Sequence, residues 1–152
     1  MDQTGKELYV CGRGDYGQLG TTFDEPDAGY HETVPRRVPL LYYSQSSVLN
    51  RKQYSYIADD IVEKDQPEID QISCGSTHVL VLTKGGDAYS WGFGDRGACG
   101  QGKSEEDVLR PTKLEAKTKK SAQGGGANTS KFHYVSGGGQ HSCALVTTHS
   151  LN

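Results

Sequence analysis

A chain of 152 residues is long enough for one domain with a hydrophobic core. A hydrophobic fraction of 34%, with 20 glycines and nine tyrosines, is typical of a turn-rich β protein and not of a disordered chain. A net charge of −3 argues against a general nucleic-acid binder, since such proteins usually carry a basic face.

The N-terminus and the cysteines bear on the cellular compartment. No apolar run follows the polar residues 1–7, and none elsewhere reaches membrane-spanning length, so neither a signal peptide nor a membrane segment is predicted. No C-x-x-C pair is present to hold a metal or to perform redox chemistry; the four cysteines are Cys11, Cys74, Cys99 and Cys143. We expect an intracellular protein of the cytoplasm or nucleus, without a metal or cofactor.

Residues 1–39 contain the first, partial copy of a repeat, which opens with a strand pattern at Leu8–Cys11. Moving the chain by 80 positions superposes identical residues: Gly5 on Gly85, Tyr9 on Tyr89, Gly12 on Gly92, Gly14 on Gly94, Asp15 on Asp95, Gly17 on Gly97 and Gly20 on Gly100. So many coincidences in one short segment indicate a repeat. The stretch Val34–Pro39 is the counterpart of Leu109–Leu114.

Residues 40–68 form a tyrosine- and serine-rich insertion with an acidic stretch at Asp59–Glu63. We interpret it as a long loop with at most a short helical turn. Loops of this length in compact domains are either functional or disordered. A binding loop, a phosphorylation target and a disordered insert all stay open, and the composition slightly favours the last.

Residues 69–114 form the one complete repeat. The apolar run Val79–Leu82 predicts a strand that is buried on both faces. Lys84–Asp87 predicts a hairpin turn, because its two glycines can supply the positive φ of a primed turn. Ala88–Trp91 is then the returning strand.

Residues 115–131 form a lysine- and glycine-rich segment, which predicts a flexible linker. Residues 132–152 start a third copy. A shift of 63 positions places Ile72 under Val135, Gly75 under Gly138 and His78 under His141. The tyrosine–tryptophan part of that copy does not appear before Asn152.

These motifs resemble a known repeat. The stretch Ile72–Thr83, a glycine turn, and Tyr89–Gly97 with its Tyr-x-Trp-Gly-x-Gly-x-x-Gly pattern are similar to the regulator of chromosome condensation repeat. The first copy resembles the second half of such a repeat, and Val135–Thr147 resembles the first half. The chain departs from the pattern at Ala98 and Cys99, where Gln-Leu is usual, and at Cys11, which stands at the position of Trp91.

The resemblance implies an all-β fold: part of a β-propeller of short antiparallel sheets, about two blades' worth, with long loop insertions. Propellers carry about 4–8 blades, and this family implies a ring of about seven. One full repeat and two partial ones cannot close such a ring. The sequence therefore predicts a fragment of a larger protein, with exposed blade edges through which copies could associate.

The pattern Gly12-x-Gly14-x-x-Gly17 matches a dinucleotide-binding fingerprint, which requires a helix to begin at the third glycine. The residues after Gly17 have no helical period and soon meet Pro26, so repeated turn chemistry is the better explanation.

His78 and His141 are candidates for a catalytic base. Because they occupy equivalent positions in two repeats, we expect a structural role, with a ring nitrogen bonded to blade backbone. No matched nucleophile and acid can be assembled around either one.

The remaining motifs also favour structural roles. Trp91 in a repeat strand predicts core packing, and Cys74 and Cys143 are expected to act as small apolar residues. The lysines at 113, 117, 119 and 120 are interpreted as a solvated segment. We assign no catalytic, cofactor or metal residue.

The leading hypothesis is a non-enzymatic protein-interaction module, a propeller portion whose loops contact other proteins. One alternative, implied by the resemblance, is guanine-nucleotide exchange on a small GTPase of the Ran type. Another is a substrate-docking portion of a ubiquitin ligase of the HECT type, which would require a ligase domain beyond Asn152.

Overall fold

The computed structural model describes residues 7–21, 29–40, 66–102, 107–115 and 130–148. These residues form eight strands and one short 3₁₀ turn, and no α-helix occurs among them. The strands are β1 (Leu8–Arg13), β2 (His31–Val38), β3 (Ile69–Cys74), β4 (His78–Thr83), β5 (Ala88–Gly92), β6 (Val108–Lys113), β7 (Ser130–Gly137) and β8 (Ser142–Thr148); the 3₁₀ turn is Asp95–Gly97. The prediction of an all-β fold is confirmed.

The strands form three antiparallel sheets in chain order. A two-stranded sheet, β1-β2, is followed by a four-stranded sheet, β3-β4-β5-β6, and by a second two-stranded sheet, β7-β8. This is one full blade between two half blades, as the prediction of a partial β-propeller requires. Residues 41–65 of the insertion expected at 40–68, and residues 116–129 of the expected linker, lie outside the described residues. Strand β7 begins at Ser130, inside the expected linker, because β8 extends to Thr148 and pairs with it.

The register of the sheets repeats together with the sequence. Pairs Ile69–Thr83 and Gln71–Leu82 flank a bulge in β3–β4, and Phe132–Val146 and Tyr134–Leu145 flank a bulge 63 residues later in β7–β8. The β1–β2 and β5–β6 pairs also share a bulge, between Val10 and Gly12 in one and between Ser90 and Gly92 in the other. Strands β7–β8 are therefore equivalent to β3–β4, and β1–β2 to β5–β6.

The four-stranded sheet is buried on both faces. One face packs on β1–β2 at the first interface, formed by Leu8, Val38, Leu40, Val81, Tyr89 and Trp91. The other packs on β7–β8 at the second interface, formed by Leu80, Leu82, Ala88, Phe132 and Val135. Alternate side chains of β4 enter opposite interfaces, since successive residues of a strand point to opposite faces. This explains the continuous apolar run in β4.

Specific polar bonds join neighbouring sheets. The Trp91 indole donates from Nε1 to the carbonyl oxygen of Gln18, in the loop after β1, at 2.9 Å. On the other side, the Gln71 amide donates to the Val135 carbonyl at 2.8 Å and accepts from the Val135 N–H at 3.1 Å. One side chain thereby satisfies both backbone groups of a residue in the next sheet. The bonds fix the lateral position of each sheet.

The hairpin predicted at Lys84–Asp87 joins β4 to β5. The Thr83 N–H donates to the Asp87 carbonyl, and the Gly86 N–H donates to the Thr83 carbonyl, both at 2.9 Å. Of the two turn glycines, Gly86 alone has a positive φ, +80°, and the central residues Lys84 and Gly85 do not. The expectation of a primed turn is therefore wrong, although the hairpin itself is confirmed. No helix among the described residues has the length and apolar character needed to cross a membrane.

We expect Gly20→Ala to destabilise the chain more than Gly97→Ala. Both glycines have left-handed backbones, with φ of +66° and +70°, so both variants should lose about 1–2 kcal/mol from backbone strain. A Cβ at Gly20 would lie 2.8 Å from Trp91 Nε1 and 3.2 Å from Pro111 Cδ, whereas one at Gly97 meets no atom within 4 Å. Overpacking adds about 1–3 kcal/mol to the first variant alone.

The measurement is urea unfolding followed by the fluorescence of Trp91, the single tryptophan of the chain. Equal losses in the two variants would contradict the close packing of the loop after β1 against Trp91.

Candidate functional site

The loops that follow β1, β3, β5 and β7 lie on one side of the stacked sheets, which we call the loop face. A contact at Gly17 shows this: a Cβ added there would lie 2.7 Å from Leu109 of the next sheet. A Cβ at Gly137 would similarly lie 2.9 Å from the nitrogen of Gly75. The opposite side carries the β4–β5 turn, where the Lys131 ammonium donates to the Gly85 carbonyl at 2.6 Å.

Two loops of the loop face, after β1 and after β5, share one backbone design. In each loop, the N–H groups of two glycines donate to carbonyl oxygens three residues earlier, at 2.9–3.0 Å. In the first loop, Gly17 donates to Gly14 and Gly20 donates to Gly17. In the second loop, Gly97 donates to Gly94 and Gly100 donates to Gly97. The φ angles at the equivalent Gly17 and Gly97 are +71° and +70°. No α-helix begins at either third glycine, so the dinucleotide fingerprint is explained by repeated turns.

An aromatic and cationic cluster lies where these two loops meet. The rings of Tyr16 and Phe93, one from each loop, are 5.0 Å apart between centroids and tilted by 51°. The Arg13 guanidinium carbon lies 4.9 Å from the centroid of the Tyr16 ring. Arg13 also donates to both carboxylate oxygens of Asp15, at 2.6 and 2.7 Å. We call Arg13, Asp15, Tyr16 and Phe93 the loop-face cluster.

Electrostatics hold the charged part of this cluster in one arrangement. The hydrogen bond and the charge of Arg13 lower the pKa of Asp15, and Asp15 in turn raises the pKa of Arg13. The Arg13 side chain is nevertheless 64% exposed. It therefore presents a fixed guanidinium above an aromatic ring, available to a partner's carboxylate or carbonyl.

Arg96 is a second exposed arginine in the loops of this face, and it pairs with Asp95 at 3.5 Å. It lies three residues after Phe93 in the shared loop design, at the position that Tyr16 occupies in the first loop. Its φ of +57° makes it the one non-glycine residue with positive φ among the described residues, and its side chain is 71% exposed. A left-handed backbone at a residue other than glycine is uncommon and is often found at functional positions.

His78 lies in a buried network between the second and third sheets. Its Nε2 is 2.9 Å from the Ser142 hydroxyl oxygen, and that hydroxyl donates to the Ala98 carbonyl at 2.8 Å. Since the serine proton is used toward Ala98, Nε2 must carry the ring proton and donate it to Ser142. This bond is to a side-chain hydroxyl, whereas the sequence predicts a bond to the blade backbone; the structural role itself stays a prediction.

The other ring nitrogen explains why His78 stays neutral. Nδ1 is buried without a hydrogen-bond partner among the described residues, and a Cβ at Gly75 would lie 2.5 Å from it. Burial, with a smaller effect from the charge of His141, lowers the pKa of His78 from its usual 6.5. A neutral, donating imidazole packed on a glycine is a structural group and a poor general base.

The other residues that the sequence analysis singled out are partly placed as expected and partly not. Trp91 is fully buried, as expected. Cys74 and Cys143 are exposed, contrary to the expectation of apolar packing, because no sheet covers those faces of β3 and β8 among the described residues. His141 is exposed as well. Among the described residues, no group of three histidine, cysteine or acidic side chains is arranged to hold a metal ion.

Cys99 takes the buried position that Leu19 holds in the first loop, with exposures of 2% and 5%. Burial raises the pKa of its thiol to about 12, with a smaller contribution from Asp107. The departure from Gln-Leu is therefore conservative, and we expect this thiol to react slowly because the thiolate is the reactive form. Of the four lysines near the linker, Lys113 pairs with Asp87 at 2.9 Å; the other three lie outside the described residues.

Sequence reasoning missed the loop-face cluster. Its members are 77 or more residues apart across the two loops, and neither loop alone suggests a contact between Tyr16 and Phe93. A usable signal was present: by the shift of 80 positions, Arg13 corresponds to Phe93, and Tyr16 corresponds to Arg96. Aromatic and arginine residues exchange places inside an otherwise constant glycine pattern.

Comparison with known proteins agrees with the repeated registers. The sequence model described as "Regulator of chromosome condensation (RCC1) repeat" matches residues 7–47 and 85–145, about two thirds of the chain. The chain belongs to the RCC1 repeat family. The expectation drawn from the glycine and tryptophan motifs is thereby confirmed.

Two relatives show how much of a longer protein this chain resembles. It is 37% identical over 99 residues to the "Regulator of chromosome condensation" of Drosophila melanogaster, covering 65% of this chain and 13% of the relative. It is 31% identical over 112 residues to the "Guanine nucleotide exchange factor SRM1" of Saccharomyces cerevisiae, covering 72% of this chain and 19% of the relative. The chain thus spans less than a fifth of either relative.

A solved structure shows the same architecture. This chain superposes on the crystal structure of Prp20p from Saccharomyces cerevisiae, a protein reported to bind Gsp1p and histones, with a TM-score of 0.64 at 25% identity. The superposition covers 97% of this chain and 28% of that one. The two half blades and the full blade therefore correspond to a continuous part of a propeller.

We expect the stability of the chain to fall below pH 6.5 because of His78. An unfolded histidine takes up its proton near pH 6.5, but burial lowers the pKa in the folded state. The contribution of neutral His78 is fully present above that pH. As pH falls further, the unfolded state binds the extra proton, and the free energy of unfolding decreases by at most about 1.4 kcal/mol per pH unit from this group.

Urea unfolding at pH 7.5, 6.5 and 5.5 measures this slope in the wild type and in His78→Gln, which should be less stable and should show a flatter dependence. His31→Gln is the matched control, since His31 is exposed on β2. Equal slopes in the wild type and His78→Gln would contradict the assignment.

Proposed function

We propose that this chain is a non-enzymatic protein-interaction module of an RCC1-repeat propeller, and that it binds another protein through the loop-face cluster. The observation that carries the proposal is the contact between two consecutive blades at Tyr16 and Phe93, with Arg13 held over it. Function in such folds lies in loops carried by a rigid scaffold. The shape of the site depends on blade packing and not on one flexible loop.

The residue types of the cluster support a protein partner. Tyrosine, tryptophan and arginine are enriched at the energetic centres of protein interfaces. The Arg13 guanidinium is held by Asp15 and by the Tyr16 ring before any partner arrives, which lowers the entropy cost of binding. With Arg96 nearby, the cluster favours a partner that presents carboxylates or backbone carbonyls.

We expect Arg13→Ser to weaken partner binding by about tenfold or more, the effect of removing an interface anchor worth about 1–2 kcal/mol. Arg36→Ser is the matched control, because Arg36 is 58% exposed and pairs with a carboxylate, Glu32, on the same half blade. The immobilised chain and both variants are incubated with cell extract, retained proteins are quantified by mass spectrometry, and the affinity of each for a retained partner is then titrated.

The proposal requires a partner bound equally by the wild type and Arg36→Ser and lost by Arg13→Ser. Retention of the same proteins by all three chains would contradict the assignment of the cluster. Turnover of a small-molecule substrate by the chain would contradict the non-enzymatic part.

A second candidate function is nucleotide exchange on a small GTPase of the Ran type. Its support is the similarity to the guanine nucleotide exchange factor SRM1 of yeast, to which the chain is 31% identical over 112 residues. Exchange needs no catalytic group of the exchange factor's own, only loops that stabilise the nucleotide-free GTPase. The loop face, where Arg13 and Arg96 are exposed, is where such a contact would form.

The test follows release of labelled GDP from a Ran-type GTPase on adding this chain, with the yeast exchange factor as positive control. If exchange is a function of this chain, we expect acceleration that Arg13→Ser reduces and Arg36→Ser does not. A rate equal to that of the GTPase alone would contradict exchange by this chain. The ligase-docking hypothesis and the intracellular location stay predictions.

A further inference from the structure

Arg96 has an unfavourable backbone conformation. Its φ and ψ are 57° and 20°, in the left-handed region. There the Cβ of any residue other than glycine lies too close to the following carbonyl oxygen. Every other residue with a positive φ in the described part of the chain is a glycine. An arginine at this position therefore lowers the stability of the loop, and stability alone does not account for it.

The shared loop design does not require this conformation. Tyr16, at the equivalent position of the first loop, has no positive φ. Its N–H donates to Oε1 of Gln18 at 2.9 Å. The second loop has Ala98 at the position of Gln18, and an alanine side chain carries no acceptor. The left-handed backbone at Arg96 thus accompanies the departure from Gln-Leu that the sequence shows.

The loop that carries Arg96 is held by two sheets. The Ser90 hydroxyl of the second sheet donates to the Cys99 carbonyl at 2.5 Å. The Ser142 hydroxyl of the third sheet donates to the Ala98 carbonyl at 2.8 Å. Strained residues persist where the surrounding structure over-determines their conformation. The Arg96 side chain therefore extends from a fixed backbone, which lowers the entropy cost of binding.

The two arginines of the loop face differ in what their guanidinium groups already bind. Arg13 donates from Nε and Nη2 to both carboxylate oxygens of Asp15, so one edge of its guanidinium is occupied by a bidentate pair. In the described part of the chain, Arg96 pairs with Asp95 alone, through Nε at 3.5 Å. This distance exceeds the range of about 2.7–3.2 Å that is usual for such hydrogen bonds. The exposed guanidinium of Arg96 is thus able to make a bidentate contact.

We propose that Arg96 binds a carboxylate of the protein partner through a bidentate pair of hydrogen bonds, and that its left-handed backbone directs the guanidinium toward that group. The inference rests on the proposed function, because it names the chemical group that the loop face recognises. A guanidinium and a carboxylate are both planar, so two parallel bonds fix the orientation of the partner as well as its position.

The acidic neighbours of the two arginines favour a carboxylate over a phosphate. Asp15 follows Arg13 closely in one loop, and Asp95 precedes Arg96 in the other. Like charges repel, and the repulsion grows with the charge of the incoming group. A singly charged aspartate or glutamate of the partner is therefore repelled less than a phosphate that carries nearly two charges.

Urea unfolding tests the backbone part of the proposal. Arg96→Gly should raise the midpoint of unfolding without changing the slope, because glycine adopts a positive φ without strain. Arg36→Gly is the matched control: Arg36 is 58% exposed on β2, where glycine weakens a strand and should lower the midpoint. A midpoint of Arg96→Gly equal to or below that of the wild type would overturn the role of strain.

Binding of the partner that the immobilised wild-type chain retains tests the guanidinium. Arg96→Lys keeps the charge and the left-handed backbone but replaces the planar fork by a point charge. We expect its affinity to fall about tenfold, that of Arg96→Gly to fall at least as far, and that of Arg36→Gly to equal the wild type. Equal affinity of the wild type and Arg96→Lys would overturn bidentate recognition.

A double-mutant cycle locates the carboxylate on the identified partner. Each exposed aspartate or glutamate of the partner is changed to its amide and titrated against the wild type and Arg96→Lys. One such change should weaken binding to the wild type and cause little further loss with Arg96→Lys. Additive losses at every acidic residue, or loss of binding when the partner is treated with a phosphatase, would overturn the carboxylate assignment.

The outcomes separate this inference from the function on which it rests. A partner that is lost by Arg13→Ser but is bound equally by the wild type and Arg96→Gly would overturn the role of Arg96 and leave the proposed function standing. Retention of the same proteins by the wild type, Arg13→Ser and Arg96→Gly, or of none by the wild type, would contradict both.

Discussion

Packing between neighbouring sheets is the interaction on which every other feature of this chain depends. A two-stranded sheet has too little apolar surface of its own to be stable in water. Val81 and Leu80, adjacent in one strand, enter opposite interfaces and so bind the central blade to both half blades. Repeat proteins are stabilised in this way, as a sum of units and nearest-neighbour contacts. Loss of one interface would therefore weaken both of the sheets that it joins.

The same packing shapes the loops. Gly20 lies against the Trp91 indole and Gly75 against the His78 ring, with no space for a Cβ in either place. Position 20 therefore requires glycine for two reasons. Its φ is positive, and a Cβ there would overlap the Trp91 indole of the next blade. The distance between Tyr16 and Phe93 is consequently a property of the blade interface and not of a single loop.

This arrangement separates the surfaces of the molecule by role. The loop face carries Arg13, Tyr16 and Phe93 in positions fixed by two blades, whereas the strand edges of β1 and β8 lie at the two ends of the stack. The opposite side carries ion pairs such as Lys113 with Asp87. Fold alone does not identify a partner, but it limits where binding can occur.

The sequence by itself determined the strands at Leu8–Cys11, Val79–Leu82 and Ala88–Trp91, the hairpin at Lys84–Asp87 and the burial of Trp91, because periodicity and turn chemistry are local. It also determined the family, since the glycine pattern recurs along the chain. Tertiary structure alone decided the partner of His78, which is Ser142, 64 residues away. It also decided the exposure of Cys74 and Cys143 and the contact of Tyr16 with Phe93. Those features depend on which sheet lies beside which, and no local pattern encodes the neighbour of a blade.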